Sequence, residues 1–496
     1  MTRIKLRMAK GAAWMVSLKF VIRSMGLVST IILARLLLPT DFGLIALGTA
    51  MIAVVEIFSS FNFEVALIQN QEAKRSHYDT AWTLNLILAV VTGVVLALLA
   101  TPTAEFYDEP RLAIVIYFLA VGVVITGIGN VGIVDFRKNL EFHREFRFML
   151  SQKIVSFVVV VPLAFIFRNY WALVAGILAG RIAGTGASYI MHPYRPRIAL
   201  SAWRELFHFS KWLLLNNAIY VLRHRSADFI IAKIAGARQL GVFTLSYEIS
   251  SLATTELAAP IDRAILPGYA RMSTNLEALR DGYFSVIGMI ALIGVPAAIG
   301  IAATAELFVP VLLGPNWLET IEVIQILAVA GSISILATSI GSICIAAGKP
   351  KYLIPLGGVY VIILLPLLLI LTPRFHGLGA AWAYLGAAAI SLPVQLFIVL
   401  NLLDANVRQL IAVLWRPLVT SAIMFLVLKV VMGEIQTSAA LVGQALQLAA
   451  IVGMGVTAYV VLVFVSWRLA GSPAGAETAV AERIGDLRKG GAARNQ

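Results

Sequence analysis

The chain has 496 residues, 60% of them hydrophobic and only 13% charged, with a mean hydropathy of +0.88. Ordinary soluble domains carry roughly a quarter of their residues as charges, so a soluble enzyme or binding module is excluded. The net charge of +13 sits in short connectors between apolar runs, which indicates membrane orientation rather than nucleic-acid binding, and the single cysteine, Cys344, excludes an intrachain disulfide.

Apolar runs long enough to cross a bilayer, about 20 residues each, recur along the chain. The basic start (Arg3, Lys5, Arg7, Lys10) precedes an apolar segment that runs to about Leu37 and carries Lys19 and Arg23. That is too long for the apolar core of a secretory signal, and it reads as an uncleaved first span. Hydropathy predicts helices at 11–37, 42–61, 79–101, 111–133, 148–167, 170–191, 208–234, 240–262, 282–303, 317–346, 353–372, 377–401, 411–432 and 440–467. The fold class expected is an all-α integral membrane protein of about fourteen transmembrane helices.

Charges orient it. Of the 39 Lys and Arg residues, 26 fall on one set of alternate connectors and the tail, and only 6 on the other set: Arg35, Arg111, Arg168, Lys233, Arg238 and Arg374. The positive-inside rule then places both termini in the cytoplasm. Two segments interleave aromatic and basic residues on that side. The stretch 135–147 fits a helix lying in the headgroup region, and 195–211 reads as a similar linker.

An internal repeat divides the chain. Ala34-Arg35, Gly43 and Leu47 recur as Ala232-Lys233, Gly241 and Leu245 at an offset of 198, which also carries Trp14 onto Trp212. Thr103-Ala104-Glu105 recurs as Thr304-Ala305-Glu306. The expected domains are an N-lobe over 1–200 and a C-lobe over 201–405, each of six spans. An even span count makes them parallel repeats about an axis along the membrane normal, enclosing a central cavity. Two further spans over 406–470 form an appendage, and the tail 471–496 has the composition of a disordered segment.

The order and spacing of several motifs resemble the multidrug/oligosaccharidyl-lipid/polysaccharide flippase superfamily, most closely its bacterial polysaccharide-export flippases of the colanic-acid exporter type. They are Lys10-Gly-Ala-Ala-Trp14, Leu33-Ala-Arg-Leu-Leu-Leu-Pro-Thr-Asp-Phe-Gly43, Phe136-Arg-Lys-Asn-Leu-Glu-Phe142, Leu313-Gly-Pro-Asn-Trp317 and Ala346-Ala-Gly-Lys-Pro350. The resemblance covers about residues 1–460. It implies fourteen spans in two six-helix lobes, and movement of lipid-linked oligosaccharide from cytoplasmic to periplasmic leaflet by alternating access.

Candidate functional residues are the charges inside spans. A Lys or Arg at mid-bilayer is unfavourable by at least about 2.5–3.5 kcal/mol, so such residues usually face a wet cavity or a partner. Lys19 and Arg23 are four apart and share a helical face. The 198 offset maps them beside Arg225, with Arg223 two residues off that face. A cavity lined this way suits a diphosphate. The opposing reading is local pairing, as of Arg225 with Asp228. Arg181 and Lys153 are weaker candidates of the same kind. Glu56, Glu248 and Glu256 are candidates for coupling to an H+ or Na+ gradient, or counter-ions for the cations.

No phosphate loop, metal-ligand cluster or large outer loop bearing catalytic residues is present in the sequence. The expectation is a transporter, not an enzyme, with no bound cofactor or metal. Its partners would be an undecaprenyl- or other polyprenyl-diphosphate-linked oligosaccharide, the lipid bilayer and polysaccharide polymerase or export machinery, with no nucleic acid. Its work would be exopolysaccharide or lipopolysaccharide assembly. A multidrug efflux antiporter of the same superfamily is the rival reading, and a membrane polysaccharide polymerase or ligase a more distant one.

Overall fold

The computed structural model describes residues 20–57, 61, 63–435, 440–472 and 477–478, with side chains except at 206–220, 223, 257–260, 262–264, 266, 267, 350, 354 and 441. All regular structure among these residues is helical, as bilayer interiors require, because hydrocarbon cannot hydrogen-bond an open backbone. Ten of the described helices are long and apolar enough to cross a membrane. Arg111–Gly127 and Val131–Lys138, bent by 67°, make an eleventh if counted as one span. The tail expected to be disordered lies outside the described residues, apart from 471–472 and 477–478.

The chain forms two compact units that divide between Thr244 and Leu245. The first contains α1 (20–36), α2 (Pro39–Ile57), α3 (Phe63–Gln69), α4 (Arg75–Phe106), α5 (Arg111–Gly127), α6 (Val134–Lys138), α7 (Phe142–Phe167), α8 (Trp171–Met191) and most of α9 (Trp203–Ser250). Its core joins Leu33 of α1 and Leu37 just after it to Val160 and Ala164 of α7, and Phe63 and Leu67 of α3 to Tyr78 and Val134. Helices α7 and α8 pack through small residues. A Cβ on Gly176 would stand 2.6 Å from Val160 Cβ, and one on Gly180 3.2 Å from Ser156 Cβ. Glycines at this four-residue spacing let helices approach closely in lipid.

The repeat has a structural counterpart at the start of α2. A Cβ on Gly43 would lie 1.7 Å from the Ala237 carbonyl oxygen and 2.8 Å from Gly241 N. One on Gly241 would lie 1.7 Å from the Pro39 carbonyl oxygen and 2.9 Å from Gly43 N. Pro39 and Ala237 stand at the same 198 offset as the two glycines. Each glycine therefore meets the partner of its own counterpart, the exchange that a two-fold relation between duplicated segments produces.

Two long helices are broken where the sequence predicts connectors. Gly236 (φ 79°, ψ 173°) interrupts α9, and His376 (φ 52°, ψ −130°) interrupts α14 (Leu353–Leu402). Positive φ needs no compensation at glycine, whereas at His376 it stores strain. The turn behind His376 is tight: a Cβ on Gly379 would meet Leu371 O at 2.2 Å.

The segment expected as one interfacial helix over 135–147 is instead two pieces. α6 ends at Lys138, Leu140 takes φ 59° and α7 starts at Phe142. A left-handed residue cannot propagate a right-handed helix. Arg137 Nε donates to Glu145 Oε1 at 2.5 Å, clipping the two pieces together.

The extended linker 192–200 is strapped to α4. Asp79 accepts from Arg197 N at 3.1 Å and from the Tyr194 hydroxyl, and Thr83 Oγ1 accepts from Ala199 N at 3.0 Å. Buried Asn130 donates to Tyr194 O at 2.7 Å and accepts from Gly132 N at 2.8 Å, holding both the strap and the 67° bend. His192 lies 3.3 Å from Asp135, and burial holds its pKa below the ordinary value despite that carboxylate.

The second unit contains α10 (Ala259–Met272), α11 (Leu276–Phe308), α12 (Thr320–Ile335), α13 (Ile340–Ala346), α14, α15 (Val407–Glu434) and α16 (Leu441–Leu469). Tyr283, Ile287, Ala291 and Val295 of α11 pack with Ile335, Ile343, Leu400 and Leu414. The last two helices dock on α11 through Met424, Leu428, Ile451 and Tyr459, whose hydroxyl donates to Leu292 O at 2.7 Å. Lys429 of α15 reaches Glu306 of α11 at 2.6 Å.

Candidate functional site

The first unit holds two adjoining chambers, of about 530 and 490 Å3, lined by a mixture of apolar, polar and charged side chains. Both are lined by Glu64, Ile133, Phe148, Gln152 and Arg181. The larger adds Glu56 of α2, Asn85 and Thr92 of α4, Thr126 of α5 and Thr185 and Ser188 of α8. The smaller adds Ile22 of α1, Arg137, Glu145, Lys153 and Ser156. Each volume falls within the roughly 300–1,000 Å3 typical of ligand sites.

Local sequence explains how these side chains are accommodated. Glycine at 122 clears a berth for Arg181, since a Cβ there would stand 3.0 Å from its Cδ and 3.3 Å from its Nη1. Gly184 does the same for Gln152, whose Cδ would be 2.8 Å from an added Cβ. Glu56 and Arg181, from α2 and α8, attract one another within the larger chamber. Arg137 links to Glu145 at 2.5 Å and reaches Glu64 at 4.0 Å. The carboxamides of Asn85 and Gln152 make no hydrogen bond to another described residue, although each could donate and accept.

Of the residues singled out from sequence, Arg23 is half-buried in α1, next to chamber-lining Ile22. Lys19 and the side chain of Arg223 lie outside the described residues. Arg225, half-buried on α9, donates from Nη1 to Asp228 Oδ2 at 3.1 Å. That pair uses one nitrogen of a fork with five N–H donors. Arg23, Arg225 and Glu56 belong to the first unit, Glu248 and Glu256 to the second. Glu256 lies in a π-helical turn, Ala253–Ala258, and its carboxylate accepts from Thr255 Oγ1 at 3.1 Å. The sequence reading gave little weight to Arg181 and none to Gln152, Asn85 or the glycines that seat them. The signal was the Gly176, Gly180, Gly184 spacing facing Gln152 and Ser156 on α7.

A second cluster sits at the connectors that the charge count assigns to the outer side. Lys233 Nζ donates to Phe106 O at 2.5 Å, lies 3.5 Å from Asp108 Oδ2 and sits 4.6 Å from the Phe106 ring centroid. Arg111 grips Glu109 through two hydrogen bonds of 2.7 and 2.8 Å, which holds the Glu109 carboxyl below its ordinary pKa.

A family described as "Polysaccharide biosynthesis protein" matches residues 32–322, more than half of the chain. The chain belongs to this family. It is 24% identical over 416 residues to the lipopolysaccharide biosynthesis protein WzxC of Escherichia coli, covering 82% of this chain and 84% of that one. It is 22% identical to the teichuronic acid biosynthesis protein TuaB of Bacillus subtilis, covering 70% and 73%. The succinoglycan biosynthesis transport protein ExoT of Rhizobium meliloti is 20% identical, covering 65% and 66%. The fold is that of the lipid II flippase MurJ in an inward closed conformation, with a TM-score of 0.71 over 92% of this chain and 99% of that one at 12% identity. An inward-facing multidrug resistance transporter of the MATE family aligns with a TM-score of 0.59 at 15% identity, covering 76% and 94%. The chain is a multi-pass membrane protein of the polysaccharide biosynthesis family.

Proposed function

We propose that this protein is a transporter, a flippase for polyprenyl-diphosphate-linked oligosaccharide, moving it from the cytoplasmic to the periplasmic leaflet by alternating access. The observation that supports this best is a guanidinium inside the first apolar run, Arg23, half-buried near the start of the described part of α1 and next to chamber-lining Ile22, in a chain of this family. A cation held in a membrane helix calls for an anion or a wet cavity, and Arg matches phosphate oxygens bidentately. Arg23, Lys19, Arg225 and Arg223 hold the diphosphate, while the polyprenyl tail stays in lipid. Arg225 does so with the donors left over from its pair with Asp228.

Both termini are cytoplasmic, in the inner membrane. The lobes 1–200 and 201–405 rock about the repeat axis, and the spans over 406–470 brace the second. Glu56, Glu248 or Glu256 couples the cycle to an H+ or Na+ gradient. Polysaccharide polymerase and export machinery take the product. Deleting the gene and complementing it with Arg23→Ala tests the reading: surface polysaccharide should be lost while the variant still inserts at wild-type level. Normal polysaccharide in that strain removes Arg23 from the mechanism. A drug-susceptibility screen of the same deletion strain tests the rival antiporter reading, which requires hypersensitivity.

A further inference from the structure

We infer that the paired chambers of the first unit hold the sugar portion of the cargo, apart from its diphosphate; this rests on the flippase reading and names the part of the substrate these chambers take. Their charge decides the ligand class. Glu56, Glu64 and Glu145 are matched by Arg137, Lys153 and Arg181. A diphosphate site needs an excess of cations, and a site for cationic drugs needs an excess of acids. A balanced lining suits an uncharged, hydroxyl-rich ligand.

Arg137 is committed to Glu145 and Glu64, and Arg181 answers Glu56. In the larger chamber the groups left to meet a ligand include the carboxamides of Asn85 on α4 and Gln152 on α7, while Lys153 lines only the smaller one. A carboxamide donates and accepts at once, as a sugar hydroxyl does. Phe148, shared by both chambers, offers an apolar surface beside them. Ionisable side chains collected inside a membrane bundle are unfavourable unless paired or wet, and mark a substrate path. Neither amide is ionisable, so neither can carry the proton of an ion-coupling step.

The test uses purified full-length protein in vesicles supplied with two lipids. One is the host's own polyprenyl-diphosphate oligosaccharide, and the other is the same polyprenyl diphosphate carrying no sugar. Gln152→Leu should translocate the full oligosaccharide lipid at least about tenfold more slowly, the loss of one good hydrogen-bonding group, and move the sugar-free lipid at the wild-type rate. The second lipid doubles as the folding control. Asn85→Leu gives the same reading should Gln152→Leu fail to insert. Equal slowing of both lipids, or slowing of neither, overturns the inference while leaving the flippase reading intact. Wild-type protein that moves neither lipid overturns both.

Discussion

Alanine at Gly43 or Gly241 is the substitution whose outcome the structure fixes most tightly. The new Cβ would sit 1.7 Å from a backbone carbonyl oxygen in either case, and ordinary contact begins near 3.5 Å. Backbone cannot swing aside as a side chain does, so segments 39–43 and 237–241 must part by more than 1 Å. Overpacking of this kind destabilises by about 1–3 kcal/mol. The near-identical geometry on the two sides predicts equal losses for the two variants. One separation relieves both clashes, so Gly43→Ala/Gly241→Ala should lose clearly less than the sum of the single losses. Denaturant or heat unfolding of the four proteins in mild detergent, followed by tryptophan fluorescence, measures this cycle. Unchanged stability in either single variant, or strict additivity, refutes the two-fold contact.

His376→Gly should stabilise the protein by about 1 kcal/mol, since relief of a strained φ outweighs the added freedom of the unfolded chain; a lower unfolding temperature would argue against a strained turn there. Lys233→Ala removes a hydrogen bond, an ion pair and a ring contact from the 106–108 connector, and should raise proteolysis or hydrogen exchange at 104–109 while leaving α7 and α8 protected. The pair Glu109–Arg111 carries a pH signature. Its carboxyl pKa is depressed in the fold, so its contribution, of at most about 1 kcal/mol for a partly exposed pair, is complete above the unfolded value near 4.3. That contribution fades as pH falls through the folded value. The stability gap between wild type and Glu109→Gln should therefore close on acidification, and a gap that widened would contradict the sign.

Much of the fold was legible because a bilayer leaves a chain few options. Long apolar runs, sparse charge and lopsided Lys and Arg placement announce a multi-span helical protein. The connectors expected near 234–240 and 372–377 are the places where Gly236 and His376 break their helices. The glycine in the repeat was visible as a match at position 43 and 241, but its reason, a backbone-to-backbone approach, exists only in three dimensions. The stretch 135–147 was misread because its aromatic and basic spacing satisfies a helical pattern on both sides of a left-handed Leu140.

The site was legible in part. Single charges inside apolar runs stand out in a sequence, and so Arg23, Arg225 and Glu56 were singled out; of these Glu56 lines the larger chamber, and Arg225 makes the pair with Asp228 that the opposing reading expects. The chambers were not found, because a cavity is assembled from residues on α2, α4, α5, α7 and α8 whose joint placement no one segment encodes. Neutral amides such as Asn85 and Gln152 give no hydropathy signal strong enough to notice. Arg181 acquires meaning only with Gly122 behind it and Glu56 across from it.

The account stands or falls on anionic cargo meeting Arg23. Purified protein in sealed vesicles, loaded with a fluorescent polyprenyl-diphosphate oligosaccharide and probed with a membrane-impermeant quencher, reads translocation directly. Wild type should move the lipid, and Arg23→Gln should slow it by about 10- to 100-fold, the value of hydrogen bonds to a charged group. Translocation by Arg23→Gln at the wild-type rate would contradict the account.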